Sequence, residues 1–197
     1  LYMESGDFPD EDKQYKAYAE AAEICGEKPL TIRTLDIGGD KALPYLDLEK
    51  EENPFLGYRA IRISMDMVPQ FKTQIRAILR AGAHGNVRMM FPMIATIEEL
   101  VKARKLVSEC MEELEAEGKT FDKEMLVGMM IETPASVLLA DEFAEMADFF
   151  SIGTNDLTQY IMAADRGNSK VASLYDPASE AVTKAIRMVI LAAGRAG

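Results

Sequence analysis

Glu132 and Asp156 each stand just past a short apolar run, residues 126–131 and 149–152, and lie one strand–helix unit apart. Two carboxylates delivered by neighbouring strand ends can grip one hard divalent cation, with substrate oxygens and water completing the shell, which is the ligation Mg2+ prefers. The run Gly153-Thr154-Asn155-Asp156 is itself a turn from strand into helix. Backbone N–H groups and the positive end of a helix dipole collect there, so a phosphate or carboxylate can be held, with Asn155 adding an amide. A helix-capping carboxylate is the alternative role for either acid.

Arginines stand near equivalent positions. Arg33 lies in the apolar run 30–37, three residues before Asp36, and an unpaired charge inside such a strand would be costly. Its guanidinium is a fork that matches phosphate or carboxylate oxygens two at a time; a buried partnership with Asp36 or Glu132 is the other reading. Arg59 and Arg62 fall in residues 58–63, read as a strand. Side chains alternate along a strand, so only one of the two faces a site; Arg59 is assigned there, and Arg62 to an outer-face salt bridge. Arg166, in Asp165-Arg166-Gly167-Asn168, is a loop charge that either meets an anion or faces solvent. His84, the single histidine, sits in a helix-to-strand turn and reads as a polar loop residue. The 13 methionines read as core filler.

Elements that could place these groups alternate along the chain. The spacing predicts helices over 9–25, with a stripe of Tyr15, Tyr18, Ala22 and Cys25, and over 67–79, with Val68, Phe71, Ile75 and Ile78. Thr96 and Glu99 form a capping box for a helix striped by Ile97, Leu100, Val101, Val107, Cys110, Met111 and Leu114, which ends at Gly118. Thr133-Pro134 opens a helix running to about residue 146, and further helices span 157–164 and the stretch capped by Asp176-Pro177, the latter with Val182, Ile186, Val189 and Ala193 on one side. Strands are expected at 30–37, 58–63, 87–94, 126–131 and 149–152, the first stopped by Gly38-Gly39. Residues 40–57 read as an irregular, functional loop. Strands apolar on both faces and joined by helices imply an α/β fold with a parallel sheet: an incomplete (β/α)8 barrel, or alternatively an open doubly wound sheet. Either way the carboxyl ends of the strands carry the site.

A chain of 197 residues, 48% hydrophobic, can bury a core, and one domain over residues 1–197 is the natural count. Its net charge of −11 argues against nucleic acid and against an acidic membrane surface. Screening over roughly 8 Å at physiological salt lets a local arginine cluster hold an anion despite that charge. No apolar run approaches the roughly 18 residues of a membrane span, and Cys25 and Cys110 show no metal-ligand spacing, which fits a reducing cytoplasm. A start at Leu1 without methionine suggests a piece of something longer.

Several ordered motifs carry a resemblance: residues 33–41 (RTLDIGGDK), residues 52–62 (ENPFLGYRAIR), Met90-Phe91-Pro92-Met93, Ile131-Glu132-Thr133-Pro134, residues 151–160 (SIGTNDLTQY) and Asp165-Arg166-Gly167-Asn168. Together they resemble the C-terminal phosphoenolpyruvate-binding domain of Enzyme I, the phosphoenolpyruvate-protein phosphotransferase of the bacterial sugar phosphotransferase system. Pyruvate phosphate dikinase and phosphoenolpyruvate synthase share the patterns around Glu132 and Asp156 and are the alternative within the same chemistry. The resemblance implies a TIM barrel, of which this chain holds about strands two to six. It also implies a cytoplasmic homodimer, Mg2+ on Glu132 and Asp156, phosphate on Arg33 and Arg166, substrate oxygens on Asn155 and the adjoining backbone, and Arg59 lining the site. Its partners would be phosphoenolpyruvate and pyruvate, a histidine of an N-terminal domain, and the phosphocarrier protein HPr. A further arginine would lie upstream of Leu1 and an acid cysteine downstream of Gly197, so the fragment is expected at best to bind substrate weakly, without turnover. A Mg2+-dependent aldolase or lyase and a non-catalytic dimerisation or binding fragment are the readings of other classes.

Overall fold

A computed structural model describes residues 2, 6–38, 43, 45, 46 and 48–197. Within them the chain packs as two compact units, Leu1–Phe91 with Val101–Val127, and Pro92–Leu100 with Gly128–Gly197. Among the expected features, Gly39 of the strand stop, Lys41, and part of the 40–57 segment lie outside the described residues.

In the first unit, strands β1 (Leu30–Arg33) and β2 (Val87–Phe91) pair in parallel, Arg33 standing opposite Met90. Helix α1 (Glu11–Cys25) is capped by the Asp10 side chain, which accepts from the Lys13 N–H at 2.7 Å. Its buried face is Gln14, Ala19 and Ala22, with Tyr15, Tyr18 and Cys25 only half-buried beside it. Burying the Gln14 amide costs little because it is satisfied: Nε2 donates to the Pro9 carbonyl, and Oε1 accepts from Tyr2 and Tyr18. Helix α3 (Val68–Ala81) buries Phe71, Ile75 and Ile78 on the expected stripe, with Pro69 in its first turn where no helical N–H is lost. Helix α4 (Ile97–Ala116), which begins in the second unit and continues in the first, opens on the expected capping box: Glu99 N–H donates to Thr96 Oγ1 at 3.2 Å, and Thr96 N–H to Glu99 Oε2 at 3.0 Å. Leu100, Val107, Cys110 and Leu114 are buried along it, whereas Val101 faces outward, half exposed.

Residues 58–63 are not a strand. Ala60 takes φ 52 and ψ −122, with its N–H bonded to the Ile37 carbonyl at 2.9 Å, and the chain reverses there into helix α2 (Ile61–Asp66). Ile61 and Ile63 are both fully buried, so their alternate spacing imitated a strand while serving a short helix. The described residues thus contain four strands rather than five.

In the second unit, β3 (Leu126–Ile131), which begins in the first, pairs in parallel with β4 (Phe150–Ile152). Thr133 caps the next helix as expected, with Pro134 at its first position, but that helix breaks at Leu139 into α5 (Pro134–Leu138) and α6 (Ala140–Ala144). Helix α7 (Thr154–Met162) begins a turn earlier than expected. Helix α8 (Glu180–Ala196) starts from Ser179 rather than Asp176-Pro177, the Ser179 hydroxyl accepting from Val182 N–H. It buries Val182, Ala185, Val189 and Ala192. Strands that pair in parallel and connect through helices make the fold α/β, of the kind that builds (β/α)8 barrels. No described helix is long and apolar enough to cross a membrane.

Candidate functional site

At the carboxyl end of β1 the backbone leaves the sheet, Thr34 N–H making a last bond to the Met90 carbonyl. Arg33 is the final strand residue and its side chain is 38% exposed, not buried inside the strand. Asp36, 5% exposed, takes one guanidinium on each oxygen: Arg33 Nη1 lies 3.3 Å from Oδ2, and Arg59 Nη2 donates to Oδ1 at 3.1 Å. Arg59 is buried, with its guanidinium carbon 5.8 Å from the centre of the Phe55 ring. Gly38 makes this approach possible. A Cβ at position 38 would lie 2.6 Å from the Arg59 Cβ and 2.8 Å from the Tyr58 carbonyl oxygen, and the residue already sits at φ +95. Among the described residues Arg62 forms no outer-face salt bridge of the expected kind. Its Nη1 donates to the carbonyls of Leu56 and Gly57 at 2.9 and 2.7 Å and pins the turn Pro54–Leu56.

At the carboxyl ends of β3 and β4 stand the two acids. Glu132 is 2% exposed, and its Oε1 accepts the Met93 N–H at 2.6 Å, a short bond. Met93 is itself at φ +58, a conformation an L residue adopts only where its surroundings over-determine it. Glu132 is not a helix cap, since Thr133 and Ser136 perform that task reciprocally. Its other side is closed by Gly153, where a Cβ would lie 2.8 Å from Glu132 Oε2. Gly153 donates its N–H to the Ile131 carbonyl and then caps α7, so Glu132 stands against the first turn of that helix. Asp156 lies in the same turn, 7% exposed, where the dipole favours a negative charge.

Arg166 comes back from beyond α7 to place Nη1 3.6 Å from Asp156 Oδ1. Its backbone is fixed by the buried Gln159, whose Oε1 accepts the Arg166 N–H at 3.0 Å. Asn155 is exposed, and both its carbonyl and its Oδ1 accept from the Tyr175 hydroxyl, at 3.2 and 3.3 Å. The structure therefore brings Arg33 and Arg59 together on Asp36 in one unit, and Glu132, Gly153, Asp156 and Arg166 together in the other. Asp36 as the shared carboxylate, Met93 as a backbone donor, and Gln159 and Tyr175 as supports were not assigned from sequence. Spacing signals Asp36, but nothing in Phe91-Pro92-Met93 signals a positive φ.

Among the described residues no group of three or more His, Cys, Asp or Glu side chains is disposed to hold a metal. Two buried carboxylates in consecutive strand-end turns are hard oxygen donors of the type Mg2+ takes, and a cation held there would need further oxygens from substrate and water. His84 stands in the turn Gly82–His84, with Nε2 2.7 Å from the Tyr15 hydroxyl and Nδ1 3.0 Å from Glu23 Oε1.

Residues 1–197 match the family model described as PEP-utilising enzyme, PEP-binding domain. A phosphoenolpyruvate-protein phosphotransferase of Streptococcus equinus is 53% identical over 199 residues, covering 100% of this chain and 34% of that protein. One from Latilactobacillus sakei is 52% identical over 197 residues, with the same coverage of 100% and 34%. The chain thus spans about a third of the length of these relatives. A solved HpcH/HpaI aldolase/citrate lyase family protein from Burkholderia cenocepacia J2315 is 16% identical, covering 91% of this chain and 72% of that one at a TM-score of 0.48, too distant a likeness to bear on chemistry. With the family model matched from the first residue to the last, the chain belongs to the PEP-binding domain family of PEP-utilising enzymes.

Proposed function

We propose that this chain is the phosphoenolpyruvate- and Mg2+-binding part of a phosphoenolpyruvate-protein phosphotransferase. That enzyme opens the bacterial sugar phosphotransferase system by passing a phosphoryl group to a histidine of its own N-terminal domain and then to HPr. The observation that carries the reading is the placement of two buried carboxylates, Glu132 and Asp156, in consecutive strand-end turns, the second ion-paired with Arg166. The relatives named for the same activity support it.

Glu132 and Asp156 would hold Mg2+, which when bound supplies Lewis-acid neutralisation of phosphate and enolate oxygens. Arg33 and Arg166 bind the phosphoryl oxygens, Arg59 lines the site, and Asn155 with the first N–H groups of α7 binds further substrate oxygens. Phosphoryl transfer passes through a loose, charged transition state, so positioning and electrostatic stabilisation supply nearly all that the protein contributes. Pyruvate forms once the enolate carbon is protonated, a step given to a cysteine outside this chain, as is the receiving histidine. The intact enzyme is a cytoplasmic homodimer on this reading, and the chain alone binds substrate weakly without turnover.

Calorimetric titration of phosphoenolpyruvate into the chain, with and without Mg2+, tests the site. Glu132→Gln and Asp156→Asn are each expected to weaken the Mg2+-dependent component by about 10- to 100-fold. Wild-type affinity in both variants would sink the assignment. Pyruvate released from phosphoenolpyruvate by the unaided chain, read in a coupled assay, would overturn the absence of turnover.

A further inference from the structure

We infer that Asp36 is a positioning residue for anion binding: it sets the orientation and spacing of the Arg33 and Arg59 guanidinium groups so that one phosphate-like anion can be held across both. This rests on the functional reading above, but its geometry lies wholly within the first unit. Asp36 spends one oxygen on each arginine, Oδ2 toward Arg33 at 3.3 Å and Oδ1 toward Arg59 at 3.1 Å. Two groups that meet the two ends of one carboxylate are close enough to meet one tetrahedral anion.

The three side chains differ in exposure in a way that suits this role. Asp36 and Arg59 are 5% and 3% exposed, whereas Arg33 is 38% exposed, so solutes reach the cluster from the Arg33 side. Arg59 is anchored along its whole length. Its backbone lies against Gly38, the next residue's N–H bonds to the Ile37 carbonyl, and its guanidinium faces the Phe55 ring. Residues 36–38 and 58–60 therefore act as one clasp, with Asp36 closing its charged end. A buried ion pair adds little stability over a well-packed apolar pair, so its worth lies in fixing geometry. Arginine suits the task because a planar fork, once oriented, presents its remaining donors in a fixed direction.

The test uses the chain with 15N-labelled arginine. In the wild type the Nη–H resonances of Arg59 are expected to be resolved by slow guanidinium rotation; in Asp36→Asn they collapse, while circular dichroism is unchanged. Affinity for inorganic phosphate and for phosphoenolpyruvate should fall by about tenfold or more in the same variant, the range seen when a group that orients a ligating residue is removed. Wild-type Nη signals, or wild-type affinity, in Asp36→Asn would overturn the inference. If Asp36→Asn fails to fold, Asp36→Glu, which keeps the charge but displaces it by one methylene, carries the test: smaller losses in both readouts support the inference, and wild-type values overturn it. A wild-type chain that binds phosphate but not phosphoenolpyruvate would sink the functional reading and leave Asp36 to be decided by its variant. One that binds neither would overturn both that reading and this inference.

Discussion

Two clusters of charge in the first unit are built on opposite plans. Where α1, α3 and α4 meet, each arginine is saturated by several carboxylates. Arg76 takes Glu11, Glu113 and Glu117 at 2.6, 3.2 and 2.6 Å. Arg80 takes Glu11 and Asp12 at 2.5 and 2.8 Å while lying 4.0 Å from the centre of the Tyr15 ring. Lys119 closes the network onto Glu11 and Glu117. At the end of β1 one carboxylate, Asp36, is shared between two arginines. A network with several acids per arginine ties helices together and offers nothing to an anion. A clasp that joins two guanidinium groups through one carboxylate holds them side by side at a strand end.

The widest separation between the two plans is expected from Gly38→Ala. A Cβ there meets the Arg59 Cβ at 2.6 Å and backbone at 2.8 Å, and the residue would be held at φ +95. Neither the Arg59 Cβ nor the Tyr58 carbonyl can swing aside, so the clasp must open. A loss of about 2–4 kcal/mol in unfolding free energy is expected, from overpacking together with the unfavourable backbone conformation. Phosphate binding should go with it, while the helical network is left standing. Denaturant unfolding of the variant measures the first and calorimetry the second. Unchanged stability would mean that residues 36–38 and 58–60 are not clasped as described.

Arg76→Met addresses the other plan. The side chain is 10% exposed, so its removal leaves Glu11 partly buried with fewer partners. A loss of about 1–3 kcal/mol is expected, between the values for exposed and fully buried pairs. Phosphate affinity should be that of the wild type. A variant that lost phosphate binding at full stability would exchange the roles assigned to the two clusters.

How much of this could be read from the sequence follows from what each signal depends on. The Thr96–Glu99 capping box, the Thr133-Pro134 helix start, the stripe of α3 and the run 126–131 of β3 were legible because each depends on residues close in the chain. Residues 58–63 misled because Ile61 and Ile63 alternate like strand residues, while the reversal at Ala60 depends on a bond to Ile37 from another part of the chain. The site shows the same division. Glu132 and Asp156 could be placed at strand ends, and Asp36 could be noticed beside Arg33. That Asp36 would also hold Arg59, that Met93 would turn its N–H on Glu132, and that Arg62 would go to two carbonyls all depend on tertiary approach.

Acid separates the two plans by a smaller margin. Glu117 is held well below its ordinary value of 4.5, at about 2, by hydrogen bonds from Arg76 and Lys119. Burial alone would raise Glu11, but hydrogen bonds from Arg76, Arg80 and Lys119 outweigh it and leave that carboxyl lowered as well. A carboxyl depressed on folding adds stability that is complete above its unfolded value and is lost as pH falls through the folded one. The helical network should therefore weaken between about pH 4.5 and about pH 2, by the Glu117 shift. Arg76→Met, which removes one of the two donors common to both acids and leaves Lys119 as the other, should make this part of the profile shallower and approach the wild type at its acid end. Thermal unfolding of both proteins across that window is the measurement. Parallel curves would place the acid sensitivity elsewhere and detach it from the network that joins α1 to α3 and α4.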